Sequence, residues 1–323
     1  MSKLKAAFYW CASCGGCEEA IVDVNEDLLK VIEALDIVFW PVALDVKVPD
    51  LEKIDDIGVS FINGAVRNDD QEHVVKLLRK KSRLLVAFGT CACFGGVAGG
   101  LGNLSSKEVM LSRVFIGTPS TQNPEAILPA AETVIEGGKL TLPDLYDSAR
   151  AINQVVEVDY YLPGCSVPRE IVMHAINSIL EGKLPAKGTY LIPSQANLCE
   201  VCERKETLPG KMQLDLEEMK RPHEMIIDTE KCFLAQGLIC MGMATNAGCG
   251  WDKTGRCIRV NIPCRGCFGP TEKNPDQGIA TLSALSSMFS TTDTERINRL
   301  VDSIVDPEGT MYRYTLISSK EGL

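Results

Sequence analysis

A chain of 323 residues is longer than one average domain, and 45% apolar with 24% charged residues is ordinary for a globular protein that buries a core. A net charge of −10 offers no basic face for phosphates, which argues against nucleic acid as a partner. No stretch approaches the roughly 18–20 apolar residues of a membrane helix, and the opening MSKLKAAFYWC has neither an apolar signal core nor a twin-arginine pair. The expected setting is therefore the cytoplasm, away from any membrane.

The first half alternates short apolar runs with helical periodicity. Strands are predicted over 4–10, 36–42, 57–63, 84–88 and 155–161. Between the first two, residues 18–35 place Ile21, Val24, Leu28, Val31 and Leu35 on one stripe, with Glu18, Glu19, Asp23 and Glu26 towards the positive end of the helix dipole. The segment DDQEHVVKLLRKK at 69–81 begins acidic and ends basic, as a helix dipole favours, and a third helix is predicted over 168–180. This alternation predicts an α/β domain with a doubly wound parallel sheet over residues 1–185. Residues 94–130 break the pattern with FGGVAGGLGN and a proline-rich run, and read as a long loop, disordered or partner-binding. From about 186 the periodicity is lost, and eight of the fourteen cysteines fall between Cys199 and Cys267. Such a segment is expected to be irregular and stapled by metal in place of an apolar core, making 186–323 a second domain. A helical tail is predicted from about 276, through ATLSALSSMF and TERINRLVDSIV.

Fourteen cysteines in a cytoplasmic chain point to metal, since thiols there are kept reduced. Ligands of an open parallel sheet sit at the carboxyl ends of its strands. Three predicted strands end in cysteine: the first in Cys11-Ala-Ser-Cys14-Gly-Gly-Cys17, the fourth in Gly89-Thr90-Cys91-Ala92-Cys93, the fifth in Leu162-Pro163-Gly164-Cys165. Four thiolates hold a cubane, and Cys14, Cys17, Cys91 and Cys165 supply that number, leaving Cys11 and Cys93 over. A ferredoxin-like run through Cys11, Cys14 and Cys17 would need a further cysteine followed by proline, where the chain has Ile21 and Val22. The remaining eight divide into Cys199, Cys202, Cys232, Cys240 and Cys249, Cys257, Cys264, Cys267. A zinc ribbon would bring its two CxxC pairs within 15–20 residues of each other; here they are far apart with four cysteines between them, which favours iron–sulfur clusters. His73 and His174 fall in predicted helices and read as structural, and His223 as a neighbour of the metal-rich region.

Taken together, Cys14-Gly-Gly-Cys17-Glu18, Gly89-Thr90-Cys91-Ala92 with Gly95-Gly96, Pro163-Gly164-Cys165, the Cys240/Cys249 spacing and Cys264-Arg265-Gly266-Cys267 resemble the small, iron–sulfur subunits of nickel–iron hydrogenases over about residues 4–270. The resemblance implies a flavodoxin-like domain and three 4Fe–4S clusters: a proximal one on Cys14, Cys17, Cys91 and Cys165, a distal one on Cys199, Cys202, Cys232 and Cys240, and a medial one on Cys249, Cys257, Cys264 and Cys267. Cys199 stands where many members have histidine, and Cys257 where many have proline and a three-iron medial cluster. The extra thiolate charge is expected to lower both potentials. Two additional cysteines of oxygen-tolerant members have other offsets than Cys11 and Cys93, which read as small packing thiols.

Within the family, the segment CGGCEEAIVDVNEDLLKVIEALDIVFWPVALDVK and the all-cysteine ligation look most like the methyl-viologen-reducing type linked to heterodisulfide reductase in methanogenic archaea. The resemblance then implies an electron relay with no catalytic residue of its own. A nickel–iron large catalytic subunit would sit on the proximal side. On the distal side a small, delta-type iron–sulfur subunit would lead to the flavin of a heterodisulfide reductase complex. Glu18 could assist proton movement or serve the helix dipole. Rival readings are another nickel–iron hydrogenase type (deazaflavin-coenzyme-reducing or sulfhydrogenase), the cluster subunit of a quinone-reducing complex, whose tandem cysteines are missing here, and a zinc-stapled scaffold.

Overall fold

The computed structural model describes residues 3–194, 196–251 and 253–320. Six strands form one parallel sheet: β1 (Leu4–Trp10), β2 (Leu35–Phe39), β3 (Ile57–Asn63), β4 (Ser82–Phe88), β5 (Tyr160–Leu162) and β6 (Thr189–Tyr190), in the spatial order β6-β5-β4-β3-β1-β2. The order reverses between β1 and β3, the flavodoxin-like doubly wound arrangement. The predicted α/β class holds. β3 is buried along its whole length, which is why it is mostly apolar, with Ser60 and Asn63 its two buried polar residues.

The longer helices are α1 (Gly16–Val22), α2 (Asp27–Ala34), α3 (Asp69–Lys81), α4 (Lys107–Phe115), α5 (Arg169–Leu180), α6 (Gln277–Met288) and α7 (Thr294–Asp302); α1, α2 and α5 cover one face of the sheet and α3 the other. Side chains alternate along the strands into two cores. Phe8, Phe61 and Phe88 pack with α1, α2 and α5 through Ile21, Val31 and Ile171, while Ala7, Ile62 and Leu85 meet Val74, Val75 and Leu78 of α3. Asn68 caps α3 by accepting from the Gln71 amide at 2.8 Å.

Several boundaries differ from the sequence expectation. The stripe over 18–35 is two helices, broken at Asn25, which takes a positive φ of 53° that asparagine tolerates and a branched residue would not. The second strand stops at Phe39, because Trp40 turns the chain through a bond from the Leu44 amide. The strand expected over 155–161 shrinks to β5, preceded by a short 3₁₀ turn at Ile152–Gln154. The supposed loop 94–130 contains short helical turns over 96–104 and α4, which is capped by Ser106. An exposed hairpin follows, pairing Glu132–Ile135 with Gly138–Thr141.

Beyond β6 the chain is irregular with short 3₁₀ turns, as expected, yet it does bury a third apolar cluster. Leu198, Leu214, Phe233, Leu238 and Ile258 pack with Leu285 and Met288 of α6 around Cys232, Cys240 and Cys264. The cysteines are part of that core, so sequence periodicity alone could not reveal it.

Candidate metal centres

The first group forms where three loops leave the sheet. β1 hands over through the Cys11 amide, which donates to Asn63 O at 2.8 Å, and Gly15, at φ 86°, turns the chain into α1. Cys14 precedes that helix and Cys17 lies in its first turn. Gly89, at φ 86° and ψ 160°, ends β4 so that Cys91 falls in the following turn; a Cβ there would lie 2.2 Å from Cys17 Sγ. Thr90 ties in the third loop: its amide donates to Gly164 O at 3.0 Å and its hydroxyl accepts from the Gly164 amide at 3.0 Å. Cys14, Cys17, Cys91 and Cys165 consequently come together and repel one another as anions. Burial first and this repulsion second push Cys17 up to about 12 and Cys91 to about 11. Cys14 and Cys165 remain exposed, so this group opens to the surface.

The other eight also fall into two fours. Cys199, Cys202, Cys232 and Cys240 are mutual neighbours, as are Cys249, Cys257, Cys264 and Cys267. Burial, then repulsion from Cys249, pushes Cys267 up to about 12, and Cys240 rises to about 11. Two contacts join the groups. Cys267 interacts with Cys165, whose amide donates to the Cys267 sulfur, and Cys264 interacts with Cys240, to whose Sγ its amide donates at 3.3 Å. The Cys249 group therefore lies between the other two, and the Thr90 hydroxyl, donating to Cys267 O at 2.5 Å, fastens it to the first.

Backbone amides point at sulfur throughout: Val167 at Cys17, Val97 and Ala98 at Cys91, Leu234 and Ala235 at Cys232, Gly242 at Cys240, Arg256 at Cys249, Gly266 at Cys264. Such bonds favour the thiolate form that a metal cluster requires. Four crowded thiols cannot all ionise without cations among them, so the donor chemistry fits iron–sulfur cubanes, whose binding would release the protons. Among the described residues no three histidine, cysteine, aspartate or glutamate side chains are placed to hold a single metal ion. A cubane instead spreads its four thiolates over four separate irons.

Beside the second group lies Arg204, which the sequence did not single out. It is 3% exposed, its guanidinium is 4.2 Å from the Phe233 ring, and it donates only to the neutral Asp228 O, Lys231 O and Asn261 Oδ1. Among the described residues no carboxylate forms a direct ion pair with it, although the Asp228 carboxylate attracts it through space, and its Nε is buried without a hydrogen-bond partner. Glu18 is buried and accepts from Trp40 Nε1 and Asn63 Nδ2; burial pushes its carboxyl up against the pull of those two bonds. Cys11 and Cys93 are buried in the α3-side core, where Cys93 Sγ donates to Ala87 O at 3.2 Å. His73 is exposed on α3, His174 on α5 meets the Trp251 ring at 5.4 Å, and His223 lies at the rim of a surface cleft shared with Cys264.

Comparison with known proteins places these features. The family model described as NADH ubiquinone oxidoreductase, 20 Kd subunit, matches residues 14–179. The chain is 38% identical to the iron-sulfur subunit of the F420-non-reducing hydrogenase of Archaeoglobus profundus, over 97% of this chain and 96% of that one. It is 33% identical to a subunit of the F420-non-reducing hydrogenase of Methanothermobacter marburgensis, over 97% and 94%. A chain of the recombinant NiFeSe hydrogenase from Desulfovibrio vulgaris Hildenborough shares the fold, with a TM-score of 0.50 and 16% identity over 84% of this chain and 94% of that one. The chain thus belongs to the nickel–iron hydrogenase small subunits, in the family of the F420-non-reducing hydrogenase iron-sulfur subunits.

Proposed function

We propose that this chain carries three 4Fe–4S clusters and relays electrons from dihydrogen oxidation in a nickel–iron large subunit towards a heterodisulfide reductase complex. The row of three four-thiol groups carries this reading, because only a row lets electrons hop from end to end. The proximal cluster would sit on Cys14, Cys17, Cys91 and Cys165, the medial on Cys249, Cys257, Cys264 and Cys267, and the distal on Cys199, Cys202, Cys232 and Cys240. Residues 1–185 would form the proximal domain, and 186–323 the domain holding the other two clusters.

When bound, such clusters supply one-electron redox chemistry. The chain's own work is to hold the thiolates, aim amides at them and exclude water. The exposed edge at Cys14 and Cys165 suits the large subunit, since electrons must enter there. Glu18, beside Cys17, is the candidate for proton movement at that edge. The distal end would meet a small iron–sulfur subunit leading to the flavin, in the cytoplasm. No helix among the described residues is long and apolar enough to cross a membrane.

The name F420-non-reducing borne by the relatives speaks against the deazaflavin-reducing rival. The quinone-complex rival draws on a family match that ends at 179, before the eight later cysteines. The test is purification from the native host. About twelve iron and twelve sulfide per chain, a co-purifying large subunit and dihydrogen uptake are expected; zinc without sulfide would overturn the proposal.

A further inference from the structure

The C-terminal residues, which the sequence left without a role, form a strap across the boundary between the first and middle cysteine groups. At one end Tyr312 lies on Gly278 of α6, where a Cβ would come within 2.2 Å of its ring, and its hydroxyl donates to Asp276 Oδ1 at 2.9 Å. At the other end Thr315, Leu316 and Ile317 are buried. Ile317 packs with Ala65 and Ala149 and fills the space left by Gly95 and Gly99, where a Cβ would fall 2.5 and 2.6 Å from its Cδ1. The Gly96 amide donates to Tyr314 O at 3.0 Å, and Gly96 itself lies against Cys91. The glycines of FGGVAGGLG are thus the seat of this strap.

Between these anchors the Tyr314 phenol faces Cys267 and Cys257 of the middle group and Cys165 of the first. Among the described residues its hydroxyl has no hydrogen-bond partner. A half-buried phenol whose hydroxyl engages no described protein group, in the electrostatic neighbourhood of cysteines from two adjacent redox sites, can turn its donor towards cluster sulfur bound there.

We propose that Tyr314 is a positioning residue for electron transfer: its ring closes the gap between the proximal and medial sites to water, and its hydroxyl donates to sulfur of one of them. This rests on the cluster reading above. A hydrogen bond to sulfur favours the reduced, more negative state, so its presence raises the potential of the cluster that receives it.

The test uses the hydrogenase complex with native chain, Tyr314→Phe and Tyr314→Ala, followed by electron-spin-resonance redox titration and by deuteron couplings after exchange into heavy water. Tyr314→Phe should keep the full iron and sulfide content, lower the proximal or medial potential, leave the distal one unchanged, and lose one exchangeable-proton coupling. Tyr314→Ala should in addition lose the proximal or medial cluster faster in air. Intact clusters with unchanged potentials and couplings in Tyr314→Phe would overturn the assignment of Tyr314 alone, as would a shift confined to the distal site. A native chain without sulfide would overturn the cluster reading itself.

Discussion

Replacing Gly89 by alanine is the sharpest test of the proximal group, because one added methyl meets both backbone and sulfur. Gly89 sits at φ 86° and ψ 160°, a region essentially reserved for glycine, and an alanine held there costs about 1–3 kcal/mol. Its Cβ would lie 2.2 Å from Cys17 Sγ, nearer than real Cβ contacts come, so the sulfur must retreat by roughly an ångström or more. Metal–ligand distances tolerate only about 0.2 Å. The backbone cost alone is a fraction of the roughly 5–15 kcal/mol that holds a domain together, so the chain should fold while the proximal site fails. Iron and acid-labile sulfide, measured per chain, should drop from about twelve to about eight, with two clusters still visible by electron-spin resonance. Gly138→Ala, where an added Cβ meets nothing within 4 Å, should keep all three. Full iron content in Gly89→Ala would refute the placement of Cys17 as a proximal ligand.

Cys257 is the second residue of the short helix Arg256–Arg259, a position where proline fits, so Cys257→Pro should leave the local fold intact, convert the medial cluster to a three-iron form and raise its potential; an unchanged spin-resonance spectrum would refute the ligand assignment. Arg204→Gln removes a buried cation that acts on Cys232 of the distal group and should lower that cluster's potential in a redox titration, with the other two unmoved. Cys11→Ala and Cys93→Ala should each retain about twelve iron per chain, since both thiols pack in the apolar core. Bonds from Lys76, then Tyr146 and Arg150, hold the Glu72 carboxyl down at about 2. A depressed carboxyl stabilises the fold above its unfolded pKa, and that contribution disappears as pH falls through the folded value. Thermal melts should therefore lose stability between about pH 4.5 and 2, and Glu72→Gln should flatten that loss.

How far the sequence revealed this molecule depended on the kind of signal. β1, β3 and α3 were legible to the residue, because each carries a mostly apolar run or a charge gradient from acidic to basic. The break at Asn25 was not, since the apolar stripe runs on through two helices that happen to keep the same face buried. Spacing alone could not order the cysteine groups. That order depends on Cys165 meeting Cys267 and on Cys240 meeting Cys264, contacts between loops far apart in the chain. Gly95, Gly99 and Gly100 read as loop because glycine lacks periodicity. Their use, making room for Leu316 and Ile317 from the far end of the chain, is a tertiary fact that no local window contains.

Arg204 was illegible for a related reason: a single arginine among charged neighbours looks like surface until burial is known. Its position has a consequence for assembly. A guanidinium buried without a carboxylate costs several kcal/mol, whereas four thiolates around a cubane leave a net negative charge next to it. Without a cluster there, Arg204 therefore carries a penalty that its neutral carbonyl and amide partners, the Phe233 ring and the nearby Asp228 carboxylate reduce only in part. Cluster insertion removes that penalty, so the segment around Cys199, Cys202 and Cys232 should tighten when iron and sulfide are added. Hydrogen exchange of apo and reconstituted protein reads this directly. Protection over residues 198–233 should rise on reconstitution in the native chain and rise less in Arg204→Gln, whose apo form has less to relieve. Equal gains in the two would mean that the buried charge is already neutralised in the apo protein.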